Sequence, residues 1–379
     1  MKKIFVTFLF ILIFSLPRVL QEEKIIILLI LCLTSISKTV IKKSFIYLSV
    51  TYIAIYIIPF FIGIMSNNNT KYIISALRIN ILFPLILFYI LQQFNLDKLK
   101  LILQNSAYIS LLFIFILTIS TILFGLQIFP INLNQLFYET ETAFRLGEGG
   151  YIHIINSSLS YIIFIAPLYF YDDKLNFSIK SFRTYFYFLV FLTSFISGRR
   201  ILVLPFLLIS ALKFKKFILP LIFLLILFTS FFNFDFLDKG VIYDRFTEAI
   251  NEDGTASVKN DQSVRFIDYI KKSPIFGYGL GSYMKDLIRN DEDETAYEKR
   301  FHYMFFSLGI PITLLCFMFY AFLIYKIKIN TLFLDSSFKY ALIISFISIF
   351  IASNTNPYWL STFDYTLPLA IMMRFSQSE

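Results

Sequence analysis

Long apolar runs, with charge gathered into short clusters between them, constrain this chain more than any other feature of its sequence. The runs at 45–65, 73–94, 101–129, 151–171, 217–232 and 303–325 reach or approach the ~20 residues a helix needs to cross hydrocarbon. They lack the polar stripe that a water-facing helix carries. Period-2 alternation, the mark of an outer-membrane barrel, is missing as well. Only helices and closed barrels satisfy their own backbone inside lipid. The expected fold is therefore all-α, a polytopic transmembrane helical bundle, in keeping with 58% apolar and 16% charged residues.

The positive charges set the topology. Twelve spans are expected, at 4–17, 25–37, 45–65, 73–93, 101–129, 151–171, 185–197, 201–212, 217–232, 303–325, 340–352 and 360–373. With the N-terminus inside, 17 Lys and Arg residues fall at cytoplasmic ends and loops. Six fall in short outer loops, namely Arg18, Lys24, Lys71, Arg145, Arg199 and Arg200. This is the asymmetry of the positive-inside rule, and it puts both termini in the cytoplasm. The net charge of +9 then reflects orientation and headgroup contact, and no nucleic-acid partner is expected. Lys2 and Lys3 ahead of an apolar run resemble the start of a signal peptide. Pro17 and Arg18 stand where a small-residue cleavage site would be, so the run is read as a retained span. Cys32 and Cys316 lie within apolar runs and suggest neither a disulfide nor a metal site. The chain thus divides into spans one to nine (1–233), a long extracytoplasmic loop containing short helices (234–302), and three last spans with a short tail (303–379).

Several polar residues stand out against this background. Arg78 sits inside the fourth span, where an arginine snorkels to headgroups or faces a partner or a wet cavity. Asp364, at comparable depth in the last span, is a candidate ion-pair partner for it. Arg199 and Arg200 occupy the tip of a hairpin whose two flanks are both basic. Paired guanidiniums there either anchor the hairpin or offer bidentate contacts to phosphate oxygens. Arg145 precedes Gly147, Gly149 and Gly150 in another outer loop.

In the long loop, Ser263 can cap a short helix with Val264, Phe266, Ile267 and Ile270 mostly on one side and Arg265 and Asp268 elsewhere. Pro274 forbids its continuation. Gly277, Gly279 and Gly281 follow and would let backbone amides close on an anion as a nest. They do not sit between a strand and a helix, so a dinucleotide fold has no support. The acidic run at 291–294 reads as solvated surface, its residues consecutive and not spaced as metal ligands. Glu298 and His302 are the two candidate general bases at the outer mouth, although a histidine at a membrane boundary is also an ordinary interfacial residue. No phosphate-binding loop and no sizeable cytoplasmic segment are present in the sequence, which argues against ATP-driven transport and nucleotide-sugar chemistry.

Four stretches then line up in order: Arg145-Leu146-Gly147, ISGRRILVL at 196–204, VRFIDYIKKSPIFGYGLGSY at 264–283, and SLGIPITLLCF at 307–317. Between 145 and 325 the chain resembles the O-antigen polymerase and O-antigen ligase family, membrane glycosyltransferases of the GT-C type. The resemblance implies a bacterial inner-membrane enzyme whose donor is an undecaprenyl-diphosphate-linked oligosaccharide, used on the outer face, with no metal or other cofactor. A chain-length regulator protein is a further implied partner. By position, Arg199 and Arg200 match the family's hairpin arginine, Arg265 the arginine ahead of the glycines, and Gly277 and Gly279 the glycines themselves. Arg145 and Arg78 join the expected diphosphate and glycan contacts, and Arg265, Glu298 and His302 the expected catalytic set. Ligases of the family carry a histidine eleven residues before the glycine of the following span. Here that position is Glu298, while His302 lies seven before Gly309. The departure favours a polymerase. A ligase, and a flippase for the same lipid, are the alternatives.

Overall fold

Within lipid a peptide group finds no water, so apolar runs close their hydrogen bonds internally as helices. The computed structural model describes residues 2–35, 41–137, 143–146, 152–155, 157–171, 181–196, 200–213, 255–288, 294–295, 297, 299–330, 335–353 and 360–377. In chain order its helices are α1 (Lys2–Ser15), α2 (Gln21–Ser35), α3 (Lys43–Met65), α4 (Thr70–Leu77), α5 (Phe83–Leu91), α6 (Leu96–Gly125), α7 (Ile162–Phe170), α8 (Phe182–Ile196) and α9 (Leu204–Lys213). They continue with α10 (Thr255–Lys272), α11 (Arg300–Leu308), α12 (Ile310–Ile329), α13 (Ser336–Ala352) and α14 (Leu367–Ser376).

Among the described residues, four stretches are long and apolar enough to cross a bilayer: α3, α4 through α5, α6 and α12. In α3, α4–α5 and α12 only 33% of the most apolar window is buried within the protein. Tyr47, Val50, Phe61 and Met65 on α3 and Leu314, Met318 and Tyr325 on α12 are exposed. Contiguous apolar surface of this kind is rare on a water-soluble monomer and is the natural face toward lipid. The expected spans at 4–17, 25–37, 185–197, 201–212 and 340–352 correspond to shorter helices, those at 151–171 and 360–373 are α-helical only from Ile162 and Leu367, and 217–232 lies outside the described residues. Two helices do the opposite: α7 and α14 bury every residue they contain. α7 packs against α6, α9 and α13, and α14 against α5 and α12, while α1 lies along α6.

Three departures from the sequence expectation are local. Among the described residues the fold is helical except for an antiparallel hairpin, β1 (Ala143–Leu146) with β2 (Ile152–Ile155), which sets Arg145 opposite His153 and takes the start of the expected span at 151–171 out of helix. α4 and α5 are joined by a π-turn, Arg78–Leu82. Pro84 has no N–H to offer the Asn80 carbonyl, which accepts the Tyr52 hydroxyl, and such turns recur at functional sites. The run at 303–325, expected as one span, is broken at Gly309 (φ 79°), so that the long apolar helix starts at Ile310 and α11 packs with α10 as a cap over the end of the bundle.

Basic residues assigned to the inner face gather at one end of the bundle. Lys2 Nζ donates to Thr34 O and to Gln93, Lys100 pairs with Asp335, and Arg374 donates to the carbonyls of Leu91 (3.2 Å) and Phe94 (2.7 Å) at the end of α5. The α1–α2 turn, the start of α4 and α11 lie at the other end, where the long loop docks.

Candidate functional site

The glycine-rich stretch does not form an anion nest. Its amides are occupied: Tyr278 N donates to Phe306 O (3.0 Å), Gly279 N to Ser307 O (2.8 Å), and Leu280 N to Pro59 O of α3 (2.9 Å). Phe306 and Ser307 end α11, where carbonyls have no partner within the helix. Ile310 N, an orphan donor at the start of α12, is taken by Pro274 O at 2.8 Å. Residues 274–280 therefore cap both ends of the break at Gly309. Asn68 of the α3–α4 turn clasps the same stretch, its side-chain amide donating to Tyr278 O and Leu280 O. The glycines are needed for closeness. A Cβ at Gly279 (φ 81°) would lie 2.2 Å from Gly63 N, and one at Gly277 (φ 64°) 2.5 Å from Gly309 N.

This docking closes a cavity of about 530 Å³ between the bundle and the outer cap. Three arginines from distant segments line it: Arg18 from the α1–α2 turn, Arg78 from the π-turn, and Arg300 from the first residue of α11. The lining also includes Tyr56, Tyr72, Tyr297 and Tyr303 but, among the described residues, no carboxylate. A cation at a helix N-terminus opposes the helix dipole, so Arg300 is placed against local preference. It is held there by Leu360 O, 2.6 Å from Nη2, and by the Tyr303 ring 5.1 Å away. Arg78 is exposed to the cavity, and its side chain makes no hydrogen bond or ion pair with any described residue. The expected Arg78–Asp364 pair is not formed: Asp364 bonds Lys24 at 2.7 Å. Lys24, expected in an outer loop, is fully buried. Like charges converging on one cavity repel, and an anionic ligand relieves that repulsion.

The remaining expected site residues fall elsewhere. Arg265 is on the outer side of α10, away from the cavity lining, with Nε 3.0 Å from Asp261 Oδ1 and Nη1 3.1 Å from Asp286 Oδ2. Its bonds to Asp261 and Asp286 raise its pKa further. Burial pushes the Asp286 carboxyl up, but hydrogen bonds from Tyr269 and Arg265 outweigh it and leave it below the usual range. Arg265 thus ties α10 to the following turn. Arg145 is on β1, and Arg200 opens a short 3-10 turn, Arg200–Val203. Arg199 and Glu298 lie outside the described residues. α8 and α9 lie against each other, Tyr187 OH donating to Phe206 O at 2.9 Å, while the expected hairpin tip at 197–199 lies outside the described residues.

α11 shows why His302 is a poor base for this cavity. Arg300, Tyr303, Met304 and Ser307, spaced as one helix face, turn toward the cavity. His302 lies off that face, its ring 6.3 Å from Phe266 in the small outer-cap core of Phe266, Met284, Tyr297, Tyr303 and Phe306. Burial first, and then Lys299, lower its pKa below 6.5. The folded state therefore resists a proton that the unfolded chain accepts, and stability falls as pH drops below about 6.5 and is unaffected above it. Melting curves of the parent and a His302→Gln variant should coincide near pH 7.5 and separate toward pH 5, the parent losing more. Parallel curves across that range would contradict the assignment.

Two residues of the cavity, Arg18 and Arg300, were not singled out by sequence. Arg18 reads as a loop charge; its signal was a short Pro-Arg turn between two apolar runs. No family model matches the chain, and no curated protein matches it.

Proposed function

We propose that this chain is a membrane glycosyltransferase that polymerises surface polysaccharide, joining undecaprenyl-diphosphate-linked oligosaccharide repeats on the outer face of the bacterial inner membrane. The observation that carries the reading is the cavity lined by Arg18, Arg78 and Arg300, with no carboxylate among its described lining residues, set at one end of a lipid-facing bundle. Guanidiniums suit the planar, bidentate recognition of phosphate oxygens. Aromatic walls of the kind Tyr56, Tyr72, Tyr297 and Tyr303 provide suit sugar rings. The resemblance at 145–325 supplies the substrate class.

In the proposed reaction an acceptor-sugar hydroxyl gives its proton to the Glu298 carboxylate and its oxygen attacks the donor's anomeric carbon. The bond from that carbon to the diphosphate oxygen breaks, the electron pair leaves with the diphosphate, and the anomeric centre inverts. The arginines stabilise the departing charge, an electrostatic role. Glu298 is preferred to His302 as base because it stands two residues before Arg300 in the sequence, whereas His302 faces the outer-cap core.

Glycan analysis of a deletion strain tests the proposal. The expected product is single repeats left on the polyprenyl lipid, with no long chains. Long polymer retained on the lipid would instead mean a ligase, and loss of outward-facing repeats a flippase; either result overturns the polymerase reading.

A further inference from the structure

Asp364 is completely buried and serves more donors than neutralising one lysine requires. Its Oδ1 accepts from Lys24 Nζ at 2.7 Å, and Lys24 is equally buried. Its Oδ2 accepts from the backbone N of Arg18 at 2.8 Å and from the side-chain amide of Gln21. Lys24 Nζ in turn donates to Leu16 O at 2.6 Å. Arg18 in the α1–α2 turn and Gln21 and Lys24 in the first turn of α2 are thereby tied to one carboxylate, and Leu16 is tied to it through Lys24. The turn needs such a tie. Arg18 and Leu20 both adopt left-handed backbone, φ 68° and 53°. That region costs a residue with a side chain about 1–2 kcal/mol, so strain of this kind persists only where surrounding contacts impose it.

The strained turn delivers ligands to the cavity, since Arg18 and Gln21 both line it. The chain around Asp364 also holds a second arginine: Leu360, itself at φ 50°, accepts Arg300 Nη2 through its carbonyl, and Ser361, Thr362 and Phe363 form the wall between. One short turn at 360–364 thus contacts two of the three cavity arginines. A counter-charge for Lys24 alone would have no need to reach the Arg18 amide.

We propose that Asp364 is a positioning residue: neutralised by Lys24, its carboxylate holds the α1–α2 turn in the strained shape that carries Arg18 into the arginine cavity. The inference rests on the reading of that cavity as a diphosphate site. The test is a double-mutant cycle on the affinity of geranylgeranyl diphosphate for the purified full chain in detergent, using Arg18→Ala, Asp364→Asn and the two combined. Each single substitution should weaken binding by about tenfold or more, the loss of one charge-assisted hydrogen bond. The combination should weaken it no further than the worse single, because residues acting through one another are not additive. Melting temperature supplies the contrast. A merely structural Asp364 would lower it in both backgrounds and leave the affinity losses independent.

If Asp364→Asn fails to fold, Lys24→Met with Asp364→Asn removes the buried charge altogether, a change that is often tolerated. The same non-additivity with Arg18→Ala is then expected. Additive losses, or unchanged affinity without the carboxylate, would overturn the inference while leaving the cavity reading intact, provided binding still depends on Arg78 and Arg300. A parent protein that does not bind the probe at all would overturn both.

Discussion

Gly279→Ala should leave almost no folded protein. The added methyl would sit 2.2 Å from Gly63 N and 2.4 Å from Gly63 Cα, both in the backbone of α3, which cannot swing aside as a side chain can. The φ of 81° adds a conformational penalty. Together, left-handed strain and overpacking come to about 2–5 kcal/mol, a large share of the ~5–15 kcal/mol by which folded domains are held. Relief by moving the loop would break the bonds from Gly279 N to Ser307 O and from Leu280 N to Pro59 O, uncapping α11. Fluorescence-detected size exclusion of a tagged variant should therefore show aggregate in place of the monodisperse peak. Lys271→Ala on the exposed face of α10 should be silent. A monodisperse Gly279→Ala protein with an unchanged melting temperature would show that the loop is not docked as described.

The second large effect concerns the cavity. Arg78→Ala and Arg300→Ala should each lower affinity for a polyprenyl diphosphate by roughly 10- to 100-fold, the worth of a hydrogen bond to a charged group. The two should differ in stability. The Arg78 guanidinium bonds no described residue, so its loss should leave the melting temperature unchanged or raise it by relieving repulsion. Arg300 also ties α11 to Leu360, so its loss should lower it. Lysine should restore Arg78 function only in part, since an ammonium supplies charge without the planar fork. Titration of each variant with geranylgeranyl diphosphate, alongside melting curves, checks both. Undiminished affinity in both variants would remove the basis for the proposed function.

Much of the fold was legible because its dominant constraint is one-dimensional. Apolar runs at 45–65, 73–93 and 101–129 correspond closely to α3, α4–α5 and α6, since run length alone decides whether a helix can cross lipid. The sorting of Lys2, Lys100 and Arg374 to one end followed from charge. The site was less legible, because it depends on which segments meet. The SPIFGYGLG and SLGIP stretches were visible separately, and nothing in either says that one closes the helix ends broken by the other. Glycine spacing suggests an anion nest and a close backbone approach equally well, and only three-dimensional contact distinguishes them. Lys24 was misread for a related reason: its run is flanked by Glu22 and Glu23, so it looked like surface, yet its partner is 340 residues away. For Arg78 the sequence leaves snorkelling and a partner or wet cavity open, and the structure places it in the lining of a cavity, while Arg18 and Arg300 carry no local signal that would join them to it.

The capping of the Gly309 break by residues 274–280 bears on how this protein can be recombined with others. α11, the head of α12 and the glycine stretch share one set of backbone bonds, and Gly63 of α3 completes the contact. None of these pieces is an independent module. A chimaera that replaces the outer loop while keeping the spans, or the reverse, exchanges half of a mutual fit and leaves helix ends open. The smallest exchangeable unit is therefore 273–313 together with the part of α3 around Pro59 and Gly63. Loop swaps should be cut outside those limits.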